Sequence, residues 1–84
     1  KDHRFRGEAM LALGNMPPEK GMIKSLIDLL SDWDGWNRYC AYVAVKKLTG
    51  QDFACEWIYD SEATRKATAA QWKKWWDEEG SKKY

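Results

Sequence analysis

Apolar residues along this chain recur at helical rather than strand spacing. Met22, Ile23, Leu26, Ile27 and Leu30 share one face of a predicted helix, while Lys24 and Asp28 lie four apart on its polar side. Pro17 and Pro18 precede them, a placement tolerated only at a helix start. A second stripe, Thr68 or Ala69 followed by Trp72, Trp75 and Trp76, runs opposite Lys73, Lys74, Asp77 and Glu78. The spacing there suits two i,i+4 ion pairs, Lys73 with Asp77 and Lys74 with Glu78. This helix is expected to open at Asp60 or Ser61 and to stop near Glu79 and Gly80, with residues 80–84 as a frayed tail. Its tryptophan stripe must face something apolar.

A shift of 32 positions carries Asp2 onto Asp34, Arg6 onto Arg38, Ala9 onto Ala41 and Ala12 onto Ala44. The shared pattern is Asp-x-x-x-Arg-x-x-Ala-x-x-Ala followed by a hydrophobic residue. Asp2 and Asp34 can cap helix N-termini, and alanines three apart keep one face thin enough for a neighbouring helix to approach. One helix is expected from His3 to Leu13, ending at Gly14 as a left-handed cap, and its counterpart from Gly35 or Trp36 to Leu48, ending at Thr49 and Gly50. The fold class is therefore all-α, two antiparallel helix pairs with a Trp-rich terminal capping helix. Repeat one covers 2–32 and repeat two covers 34–79, with an insert at 50–60, "GQDFACEWIYD". Phe53, Trp57, Ile58 and Tyr59 make that insert too apolar for a free linker.

Eighty-four residues make one small domain, spanning 1–84. At that size only about 60 to 65% of the unfolded chain's surface is buried, so large rings are needed to fill the core. Six Trp, four Tyr and two Phe supply them. Fourteen basic against thirteen acidic residues, a net charge of +1, advertise neither a polyanion nor a cation as partner. No apolar run approaches the roughly 20 residues of a membrane span, and no signal-peptide pattern opens the chain. Cys40 and Cys55 have neither redox nor zinc spacing, and two buried thiols are expected rather than a disulfide. The chain begins at Lys1 rather than Met, consistent with removal of a precursor segment or with a larger parent.

The repeated Asp-x-x-x-Arg-x-x-Ala helix start and the paired helices resemble HEAT-like repeats, in particular the short variety named after phycobilisome lyases. The segment "KLTGQDFACEWIYDSEATRKATAAQWKKWW" is similar to the closing segment of bacterial HEAT-repeat proteins, in which a Trp-rich helix ends the array. Phe5 and Asn37 depart from the small aliphatic residue usual before the Arg. Two repeats are fewer than the three or so an independent solenoid needs. The resemblance therefore implies the capped end of a longer array, or a mini-domain leaning on a partner. The recurrence of Arg6 and Arg38 beside the caps suggests structural ion pairs that link adjacent repeats, with Asp2, Asp34 or Asp32, rather than anion binding.

Catalytic patterns are sparse. His3 has no nucleophile beside it, and Glu78 and Glu79 are adjacent, so they diverge on a helix. A calcium loop counted from Asp32 would have Asn37 in place of its glycine and Val43 in place of its last carboxylate. The residues point instead to a non-enzymatic protein–protein interaction or scaffold module, without cofactor or metal. Trp33, Trp36, Trp57 and Trp75 are its expected anchors, with Lys24 and Asp28 as a rim, and Trp72 and Trp76 belong to the core. The expected partner is another protein or the remainder of the array, not a membrane. Two classes compete with this reading. One is nucleic-acid binding through Lys20, Lys24, Arg65, Lys66, Lys73 and Lys74, and the other is an accessory role in cofactor or pigment attachment, which would call for an exposed thiol at Cys55.

Overall fold

The computed structural model describes residues 9–84, and among these helices are the only regular elements, without strands. The expected cap at Asp2, with His3 and Arg6, lies outside the described residues. Residues 9–13 are helical (α1). They are followed by α2 (Lys20–Leu29), α3 (Gly35–Thr49) and α4 (Glu62–Trp75). A π-helical turn, Trp76–Gly80, and a last α-turn, Ser81–Lys83, continue α4.

Most of the local signals act as anticipated. Asp34 accepts a hydrogen bond from the Trp36 N–H at 2.8 Å and caps α3. Gly50 ends that helix with φ 74°, the left-handed conformation a Cβ disfavours. Ser61 caps α4 by accepting from the Thr64 N–H at 3.2 Å. Pro17 and Pro18 lie ahead of α2 rather than in its first turn, since Glu19 is the N-cap residue.

Two glycines act differently from expectation. Gly14 is not left-handed, because Gly50 is the sole positive-φ residue among those described. Instead the chain leaves α1 through three successive i to i+3 bonds, from the N–H groups of Gly14, Asn15 and Met16. A Cβ on Gly14 would stand 3.2 Å from the Ala44 Cα, so the missing side chain serves close approach to α3. Gly80 does not stop the last helix. It is buried with ordinary right-handed dihedrals, and a Cβ there would come within 2.7 Å of the Trp76 ring and 2.8 Å of the Trp75 ring.

The tail is packed rather than frayed. Tyr84 stacks on Trp76, with ring centroids 6.4 Å apart and planes 16° apart. The π-helical turn also shifts the register after Trp75. Among the described residues Lys73–Asp77 and Lys74–Glu78 do not pair, whereas Lys24–Asp28, Lys46–Asp52 and Glu62–Lys66 do.

The core draws Ile23, Leu26, Ile27 and Leu30 from α2 and its end, and Cys40, Ala41, Ala44, Val45 and Leu48 from α3. Trp72, Trp75 and Trp76 close it from the last helix, so the tryptophan stripe faces the interior. Trp72 meets both Phe53 and Trp75 edge-on, at 5.3 and 6.0 Å, a geometry that sets ring edge against ring face. The two copies of the alanine pattern differ: Ala41 and Ala44 are buried, Ala9 and Ala12 exposed.

The 50–60 insert folds back as its apolar content demands. The Trp72 Nε1–H donates to the Phe53 carbonyl at 2.9 Å, and Trp57 is 2% exposed with its ring 5.7 Å from that of Tyr42. Cys40 and Cys55 are free thiols, the first buried and the second half-buried.

Candidate functional site

Surface aromatics gather where the insert crosses the start of α3. Trp33 precedes the cap and is 80% exposed, and Tyr59 in the insert is 85% exposed. Trp36 and Tyr39, three apart on α3, are partly exposed and stack on each other at 5.8 Å. Ile58 completes the patch. Singly exposed apolar residues need no explanation on a small domain, but several side by side do.

Arg38 assembles this corner. Its Nε–H donates to the Trp57 carbonyl at 2.7 Å, and one terminal nitrogen donates to the carbonyls of Asp32 at 2.9 Å and Trp33 at 3.1 Å. The guanidinium thereby serves three backbone acceptors rather than the carboxylate expected from its recurrence in the sequence. Burial, and after it the neighbouring Arg65, hold its pKa below the ordinary value, against the pull of Asp34 and Asp32. Gly35 allows the crossing to be close, since a Cβ there would sit 3.3 Å from Ile58. Asp32 steadies the same turn, accepting from the Asp34 N–H and the Asn37 Nδ2–H, both at 3.1 Å.

Further along α3 a broad hollow of about 470 Å³ is lined by Tyr39, Tyr42, Val43, Lys46, Lys47 and Gly50. Its floor is braced by the Tyr42 hydroxyl, which donates to Asp52 at 2.7 Å, while Lys46 lies 3.5 Å from the same carboxylate and 5.7 Å from the Tyr42 ring centre. Burial, then this hydrogen bond, raises the Tyr42 pKa to about 12. The hydrogen bond from Tyr42 is also the main reason Asp52 titrates below its ordinary value.

The expected site residues separate into three groups. Trp33 and Trp36 lie in the patch. Trp57 and Trp75, anticipated as exposed anchors, are core residues at 2% and 7% exposure. The Trp57 ring packs against Tyr42, and Trp75 is covered where the helix runs on through Gly80. Lys24 and Asp28 pair at 3.5 Å on α2, but they border a cleft of about 150 Å³ with Trp76 and Asp77 that shares no residue with the patch. Tyr39, Ile58 and Tyr59 were not anticipated. For Tyr39 the signal was present, as it stands three residues after Trp36 and four before Val43, away from the Ala41 and Ala44 face.

Among the described residues, the buried Trp57 Nε1 and Asn37 Oδ1 have no hydrogen-bond partner. The described residues contain no cluster of three or more His, Cys, Asp or Glu able to hold a metal ion. No described helix is long and apolar enough to cross a membrane. The Cys55 thiol is pushed up by burial, against a hydrogen bond with Thr68, which keeps it protonated and a weak nucleophile at neutral pH. No protein-family model, no curated protein and no solved structure matches the chain.

Proposed function

We propose that this chain is a non-enzymatic interaction module of HEAT-like type, two antiparallel helix pairs closed by the Trp-rich helix, which presents the aromatic corner of α3 to a protein partner. The observation that carries the reading is that two segments rich in exposed apolar side chains, Trp33, Trp36 and Tyr39 in one and Ile58 and Tyr59 in the other, are brought together by the Arg38–Trp57 bond and the Gly35–Ile58 contact. Exposed Trp and Tyr side chains are the usual anchors of protein interfaces, because each removes a large apolar area from water at little rotamer cost. The burial of Trp72, Trp75 and Trp76 supports a capping role for the last helix, whose rings cover a face that no further repeat would cover.

The competing classes have weaker physical support. Two of the six cations that a nucleic-acid face would use, Lys24 and Lys66, sit against Asp28 and Glu62, which reduces the field offered to phosphates. Attachment chemistry at Cys55 would call for a thiol of lowered pKa, and burial moves this one upward.

The test is capture from native lysate with the wild-type domain and a Trp33→Ala, Trp36→Ala variant of unchanged circular dichroism. A defined protein retained by the wild type and lost by the variant is the expected result. Retention of nuclease-sensitive material, or equal capture by both, would overturn the reading.

A further inference from the structure

We draw no further inference here: the strongest candidate, the hollow along the outer face of α3 between Tyr39 and Gly50, is lined by that one stretch of chain, its Lys46 is paired with Asp52 and its Lys47 bonded to Asn15, and nothing in the structure shows what covers it.

Discussion

Arg38 and Trp57, 19 residues apart in sequence, are joined by a 2.7 Å hydrogen bond from the Arg38 Nε–H to the Trp57 carbonyl. This contact fastens the insert across the start of α3, where Ile58 lies against Gly35. A guanidinium can reach three carbonyls at once because its donors form a rigid planar fork, which an ammonium does not offer.

Arg38→Lys is therefore expected to behave as a non-conservative change. Buried acceptors left without a donor cost about 1 to 3 kcal/mol each, and a loss of roughly 2 to 4 kcal/mol in urea-induced unfolding is expected. A variant as stable as the wild type would show that Arg38 does not hold this corner.

Two buried tryptophans should respond differently to the same substitution. Trp72 donates to the Phe53 carbonyl, so Trp72→Phe loses a hydrogen bond as well as volume and is expected to cost about 2 to 3 kcal/mol. Trp57 Nε1 has no partner, and Trp57→Phe removes that burdened N–H, leaving a cost of about 1 kcal/mol from packing. Chemical denaturation ranks the two, and the reverse order would contradict the assignment.

Tyr42 provides a pH signature. Its folded pKa of about 12 exceeds the ordinary tyrosine value of about 10, so the folded state holds this proton where the unfolded chain has released it. Stability from this group is complete below pH of about 10 and declines as pH rises toward 12. Tyrosinate absorbance should show one late-titrating ring, which Tyr42→Phe abolishes. If all tyrosines titrate together near the ordinary value, the Tyr42–Asp52 bond is absent in solution.

The glycines should divide by sign when each is changed to alanine. Gly80→Ala forces a Cβ within 2.7 Å of the Trp76 ring and is expected to cost about 1 to 3 kcal/mol by overpacking. Gly50→Ala strains a left-handed cap, costing about 1 kcal/mol. Gly21→Ala meets nothing within 4 Å on a helix and should stabilise by about 0.5 kcal/mol. Melting temperatures of the three would check the order, and a stabilising Gly80→Ala would refute the contact with the rings.

What the sequence determined by itself was whatever depends on neighbours a few residues away. The Asp34 and Ser61 caps, the Gly50 stop, the buried Ile23–Leu30 face and the inward Trp72 and Trp76 all follow from helical periodicity and local hydrogen bonding, whereas Trp75 was expected at the surface and is buried. The π-helical turn was not legible, because Asp77, Glu78 and Glu79 read as an ordinary polar helix face. The extra residue in that turn, and the continuation through Gly80, depend on rings that pack where a Cβ would otherwise stand. Only tertiary structure could decide which tryptophans face water. Trp57 lies beside Ile58 and Tyr59 in one short insert, yet Trp57 packs its ring on Tyr42 while its neighbours stay outside. The recurrence of Arg38 predicted an ion pair, whereas its partners proved to be carbonyls, one of them from a loop whose path no periodicity encodes. A surface patch drawn from separate segments comes into being only when long-range contacts fix how the chain crosses itself.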